Sequence, residues 1–341
     1  MKTTQAAVLV RTGKADTAFE LKEVPIAAPG AGEVLIEVEG FGLNFADIMA
    51  RTGQYPDAPP MPCVLGYDVA GRVVAAGSEV QQVKVGDRVT ALTKFGGYAR
   101  YAIADARALA RISDAMPVGV ATALTTQYCT AYYLAAEATQ LWPGDKVLIH
   151  SAAGGVGTAL LQYALHRGCE VFVTAGSDKK LDMLKKSGAH HGINYVTQDF
   201  AEEVRRIAGK RGVDVIFDAV GGSYVKKGFK ILNSGGRILC YGAANLSDKN
   251  IFGKISAGLG FGFYHPAQLM MSSKAIIGVN MLRIAVNKPA VLQRCLQQVV
   301  ALCDQGVFHP LVGGVFPVTE LSKAHQFLES RQSTGKITVT W

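Results

Sequence analysis

The run Ala152-Ala153-Gly154-Gly155-Val156-Gly157 is the part of this chain whose residue types and spacing speak most directly of chemistry. It follows a short apolar strand pattern, Lys146-Val147-Leu148-Ile149-His150, and opens a helical pattern from about Gly155 to His166 that stops near Gly168. A glycine-rich turn between a strand and a helix is the setting of a dinucleotide fingerprint. Gly154, having no Cβ, lets a pyrophosphate approach the backbone, and Gly157 lets the helix pack close to the strand. The unpaired amides of the first helical turn then face the phosphates, aided by the helix dipole. Ala152 stands where the pattern has its first glycine. Ala152, Gly154, Gly155, Val156 and Gly157 are therefore the expected phosphate-binding turn. A tight turn without a ligand is the alternative, and the βαβ pattern that follows tells against it.

The end of the next strand decides which dinucleotide. A site for NAD places a carboxylate on the ribose hydroxyls about 20 residues beyond the glycines. Here that region reads Thr174-Ala175-Gly176-Ser177, without an acid. A 2′-phosphate is then tolerated. Lys180, with Lys179 beside it, supplies positive charge, Ser177 a hydrogen bond, and Tyr195 is expected over the same pocket. Asp178 is the contrary sign, read as a solvated helix-start carboxylate. The expected cofactor is NADPH. His150, which precedes the phosphate turn, reads as structural or phosphate-proximal, and His190-His191 as a loop pair, not a metal site.

These residues need elements to hold them. The first third is β-rich: Val34–Glu39 alternates, Val69–Ala75 and Val89–Leu92 are strand candidates, and Gly and Pro mark frequent turns, a barrel-like pattern. From about residue 126 strands and helices alternate. Strands are expected at Lys146–His150, Glu170–Thr174, Val213–Phe217 and Arg237–Tyr241, with helices at Gly155–His166, Lys179–Lys186, Phe200–Lys210 and Tyr224–Leu232. Such alternation forces a parallel sheet. Helices follow at Pro289–Gln305 and Leu321–Leu328, and a strand, Lys336–Thr340, can return to the first domain. The expected organisation is an α/β chain of three segments: 1–125 and 281–341 in one domain, 126–280 in the other.

Bulk properties narrow the partners. The 341 residues carry 35 Lys+Arg against 27 Asp+Glu, a net charge of +8. The basic residues are scattered, with one local cluster at Arg205, Arg206, Lys210 and Arg211, and no basic–aromatic stripe points to nucleic acid. No segment reaches the ~20 apolar residues that span a bilayer. The glycine-rich stretch Ile251–Met271 reads as a pocket-lining loop, with peripheral membrane contact as its other use. Six cysteines without a Cys-x-x-Cys pair read as reduced thiols. With no targeting signal in view, the expected location is the cytoplasm.

Several separated motifs now occur in a telling order: Gly86-Asp87-Arg88-Val89, Trp142-Pro143-Gly144-Asp145 and the turn at 152–157. They resemble the medium-chain dehydrogenase/reductase superfamily. Gly42–Asp47, Gly53-Gln54-Tyr55-Pro56, Thr130–Leu134 and Ile193-Asn194-Tyr195 are similar to its quinone oxidoreductases, including the VAT-1-like branch. The resemblance spans nearly the whole chain. It implies a GroES-like β-barrel catalytic domain beside a Rossmann domain, an active site between them, and a homodimer joined through the Rossmann sheets.

Where the family's zinc enzymes carry a Cys ligand, this chain has Asn44, and where they carry the His of Gly-His-Glu it has Tyr67; only Asp68 keeps an acid. The four-Cys lobe is missing as well. An amide and a phenol are poor zinc ligands, so no metal is expected. Without a Lewis acid, an activated acceptor is the feasible substrate: a quinone or an enone spreads incoming charge onto an oxygen that neutral donors can hold. The resemblance assigns the donors to Asn44 and Tyr55. It places Thr130 near the nicotinamide, Gly242 at the cofactor, and the backbone of Val279, Asn280 and Met281 on the carboxamide. Asn44 also suits the cap of the helix beginning at Phe45, and Tyr55 suits simple packing. The expected function is NADPH-dependent quinone reduction. The alternatives are enone or enoyl reduction, and a lipid-associated binding role for a VAT-1-like protein.

Overall fold

A computed structural model describes residues 2–209, 212–244, 258 and 260–341. Lys210 and Arg211 of the basic cluster, residues 245–250, and residues 251–257 with Leu259 from the expected loop lie outside the described residues. The chain divides into two units: residues 1–130, 281–306 and 310–341 form the first, and residues 131–280 with 307–309 the second.

The first unit opens with β1 (Lys2–Leu9), β2 (Phe19–Ile26), β3 (Glu33–Leu43), β4 (Cys63–Val64), β5 (Asp68–Ala76), β6 (Arg88–Leu92), β7 (Tyr101–Asp105) and β8 (Leu109–Arg111). Period-two patterning explains β3: Val34, Ile36 and Val38 turn to the core and are at most 3% exposed. β3 extends past the alternating stretch to Leu43. Midway along, it packs on β5 so closely that a Cβ on Gly71 would stand 2.0 Å from the carbonyl oxygen of Glu37.

The second unit holds β9 (Lys146–Ile149), β10 (Glu170–Ala175), β11 (His191–Asn194), β12 (Val213–Asp218), β13 (Leu232–Cys240) and β14 (Ala275–Gly278). They form one parallel sheet in the order β11-β10-β9-β12-β13-β14. This is the doubly wound order, two βαβ halves diverging from β9. Val147, Leu148 and Ile149 are all fully buried, as both faces of such a sheet are covered. β13 begins five residues before the expected Arg237, directly after the helix Ser223–Ile231. His191 pairs with Phe172 as the first residue of β11, so of the expected loop pair only His190, in the bend before the strand, lies outside it.

The chain then returns to the first unit. The helix Pro289–Asp304 buries the stripe Leu292, Cys295, Leu296, Val299 and Leu302 at helical spacing. β15 (Val312–Pro317) and β16 (Lys336–Thr340) follow. β16 pairs antiparallel with β3, setting Ile337 against Leu43 and Thr340 against Gly40, and completes the sheet β15-β16-β3-β5-β6-β8 with β7 on β3. The first unit is GroES-like and the chain as a whole mixed α/β.

Candidate active site

The turn after β9 is tight. Ala152 donates its N–H to the carbonyl of Thr174 on β10 at 3.1 Å, and Gly154 donates to Ser151 at 3.0 Å. The helix Gly155–His166 starts there with Gly154 at its N-cap and no capping side chain. Uncapped first-turn amides are anion donors. A Cβ on Gly157 would stand 2.6 Å from the Cα of Ala152, whereas one on Gly154 would meet nothing closer than Ser151 O at 3.4 Å. Packing inside the protein therefore demands glycine at 157. At 154 it does not, and the exposed backbone there is open to a ligand. Val156 is half-buried behind it.

Beside this turn, at the carboxyl end of β10, the structure gathers Ser177, Lys180 and Tyr195. The Ser177 hydroxyl accepts from the Lys180 N–H at 3.4 Å and caps the helix Asp178–Lys186. The hydroxyl of Tyr195 lies over Gly176, where a Cβ would come within 2.6 Å of it. Burial holds the Lys180 ammonium below its ordinary pKa. Asp178 is exposed in the first turn of that helix, and Asn194 donates its side-chain N–H to one of its oxygens at 2.9 Å. Gly242 and Val279 follow β13 and β14 at the same sheet edge. Val279 donates to the Cys240 carbonyl at 2.9 Å, and Ala219 O leaves only 2.6 Å for a Cβ at Gly242. Asn280 is exposed, while Met281 and Thr130 are buried members of the first unit.

His150 is fully buried between Phe200 and Tyr224, with ring centroids at 4.6 and 5.0 Å, and shares a 3.1 Å hydrogen bond with Thr174. Burial lowers its pKa to about 3, so it is a neutral packing group.

In the first unit, Asn44 follows β3 and caps the helix Phe45–Arg51: its backbone N–H donates to Asp47 Oδ2 at 2.7 Å. Its side chain has further partners. Nδ2 donates to Asp68 Oδ2 at 2.6 Å, and Oδ1 accepts from Lys336 Nζ at 3.1 Å. Lys336 also donates to Asp68, both side chains being fully buried. The second Asp68 oxygen accepts from the hydroxyls of Thr125, at 3.1 Å, and Thr126. Those threonines lie on a π-helical segment, Leu124–Tyr128, of the kind often found at functional sites. The residue pattern gave no hint of Lys336, Thr125 or Thr126. The one available signal was a charged residue heading the apolar strand Lys336–Thr340.

Tyr55 is half-buried, meeting Tyr67 edge to face with centroids 6.3 Å apart. Tyr67 is 5% exposed. Burial raises the pKa of both phenols, so both stay protonated. Cys129 and Cys295, far apart in sequence, share a buried thiol contact that raises the pKa of Cys129 beyond the effect of burial. Among the described residues no group of three or more His, Cys, Asp or Glu side chains could hold a metal ion.

A GroES-like unit followed by a doubly wound nucleotide sheet is the architecture of the medium-chain dehydrogenases and reductases. Residues 30–114 match the alcohol dehydrogenase GroES-like domain and residues 155–300 the zinc-binding dehydrogenase domain. The synaptic vesicle membrane protein VAT-1 homolog of Rattus norvegicus is 35% identical over 316 residues, covering 91% of this chain and 77% of that protein. A 2-haloacrylate reductase from Burkholderia sp is 34% identical over 340 residues, 97% of each chain. The structure of Escherichia coli quinone oxidoreductase complexed with NADPH superposes with a TM-score of 0.85 at 26% identity, covering 99% of this chain and 100% of that one. The chain belongs to the quinone oxidoreductase family of the medium-chain dehydrogenase/reductase superfamily.

Asp47 makes a pH prediction. Burial lifts its pKa to about 7 from an ordinary 3.8. Its stabilising contribution is complete below the unfolded value and is lost as pH rises through 7. Asp47→Asn, which keeps an acceptor for the Asn44 N–H, should gain on the parent by a few kcal/mol between pH 4.5 and 8. Urea melts at the two pH values read this directly; an equal difference at both would refute it.

Proposed function

We infer that this protein is an NADPH-dependent oxidoreductase that reduces quinones without zinc. The observation that carries this is the pairing of an uncapped glycine turn, open at Gly154, with a 2′-phosphate-type environment of Ser177, Lys180 and Tyr195, in which the nearby Asp178 is occupied by Asn194. Relatives complexed with NADPH, the Escherichia coli quinone oxidoreductase among them, support it. When bound, NADPH supplies the two-electron reductant. The first-turn amides would hold its pyrophosphate, and Thr130, Gly242 and the backbone of Val279, Asn280 and Met281 are the residues that the resemblance assigns to its nicotinamide end.

The chain's own donors deal with the charge that reduction places on the acceptor oxygen. Asn44 keeps one amide N–H beyond the bond to Asp68, and the protonated Tyr55 offers a second donor. Asn44, Tyr67 and an Asp68 already bound to Lys336 suit hydrogen bonding, not zinc coordination. The second reading is reduction of an activated alkene, favoured by the full-length similarity to the 2-haloacrylate reductase, whose named substrate is an α,β-unsaturated acid. A cytoplasmic homodimer completes the picture. β14 is a sheet edge of sequence Ala-Ile-Ile-Gly, with no charge or proline to block pairing.

Purified enzyme should oxidise NADPH at least tenfold more efficiently than NADH with a quinone, at an unchanged rate after exhaustive chelation. Faster turnover of an enone than of any quinone would select the second reading, and preference for NADH would reject the 2′-phosphate assignment. Gly154→Ala should raise the Kd for NADPH about tenfold or more at an unaltered Tm, while Gly157→Ala should lower Tm; the reverse pattern would remove the phosphate from this turn. Sedimentation at micromolar concentration should give a dimer, and a monomer would exclude the edge pairing.

A further inference from the structure

We propose that Lys336 is a positioning residue: its ammonium fixes which way round the Asn44 amide lies, and so aims the free N–H of Asn44 at the acceptor oxygen. This rests on the reading of Asn44 as an oxyanion donor.

The two ends of an Asn side chain are nearly equal in shape and opposite in hydrogen-bonding sense, so something must choose between them. Here Lys336 Nζ donates to Oδ1 at 3.1 Å, and Asp68 Oδ2 accepts from Nδ2 at 2.6 Å. An ammonium has no acceptor and an ionised carboxylate no donor. The flipped amide would set its NH₂ against the ammonium and its carbonyl against the carboxylate, two repulsions in a site without water to screen them. Lys336 and Asp68 together therefore admit one orientation, leaving one N–H of Nδ2 without a partner among the described residues.

The surroundings reserve room for this arrangement. Both charged side chains are 0% exposed. Gly42 sits where a Cβ would lie 2.1 Å from Lys336 Cε and 2.9 Å from Asp68 Oδ2, so the backbone makes way for the pair. Asp68 Oδ1 is occupied by Thr125 and Thr126, which keeps Oδ2 for Asn44 and Lys336. A fully buried ion pair is poor value as a stabilising device, because desolvation opposes most of the Coulomb gain and apolar replacements of like volume are often as stable. Its cost is understandable if the pair serves to orient a third group.

The test is a double-mutant cycle on NADPH-driven turnover of a quinone, with an enone run in parallel. Lys336→Met alone strands a buried carboxylate and can fail to fold, so the cycle uses the charge-free pair Lys336→Met/Asp68→Asn, made in the parent and in Asn44→Ala. In the parent the pair should lower kcat tenfold to a hundredfold with the Kd for NADPH, read by fluorescence, within twofold. In Asn44→Ala, with no amide left to orient, the same pair should change kcat less than threefold. Equal losses in both backgrounds would overturn the proposal, as would a pair variant with parental kcat. If Asn44→Ala itself keeps full activity, the donor reading of Asn44 fails instead.

Discussion

A carboxylate and an ammonium with no exposure to water organise the first unit. Asp68 stands at the start of β5 and Lys336 at the start of β16, and the strand between them, β3, carries Gly42 and leads directly into Asn44. Taking either charge out of water is costly unless the other is met at close range with its remaining hydrogen bonds filled. That requirement fixes the register of three strands: Gly42 is opposite Asp68 on one side and Thr338 on the other. A slip of one residue along β3 would turn side chains to the opposite face and separate the charges. The local sheet geometry and the orientation of the Asn44 amide are thus consequences of one electrostatic demand.

The second unit meets a different demand with fewer polar parts. Its sheet is almost wholly apolar where both faces are covered, so polar function is driven to the carboxyl ends of the strands, where crossover turns open. The glycine turn after β9, the Ser177–Lys180 cap after β10 and Tyr195 after β11 stand along one edge for this reason. Asn194 illustrates the economy of that edge. It ends β11, accepts the Val196 N–H at 3.1 Å and donates to Asp178 in the first turn of the preceding helix.

Much of this was legible in the residue pattern because it is local. The strand and helix around residues 146–166 follow from apolar runs and glycine spacing, and Lys336–Thr340 shows its alternation plainly. Tyr195 over the Gly176–Ser177 corner was expected, and there Gly176 leaves room for the phenol. What escaped was non-local or conformational. Lys336 and Asn44 are 292 positions apart, and no periodicity links them. The π-helical segment that presents Thr125 and Thr126 depends on a backbone irregularity that side-chain spacing does not encode. β1 and β2 carry polar outward faces whose strand character comes from pairing with each other. The Asp178–Asn194 contact likewise crosses from one βα unit to the next, and a single acid in a helix start gives no sign of it.

The placement of β16 has a consequence for how the molecule is made. A ribosome delivers the chain from its N-terminus, so the whole stretch 131–280 emerges before the strand that supplies Lys336. Through that interval β3 has no neighbour on its β16 side and Asp68 has no counter-ion. The nucleotide sheet, built from consecutive βα units, can condense on the nascent chain. The GroES-like unit cannot close its sheet before β16 has been made, and the orienting contact at Asn44 waits on the same strand.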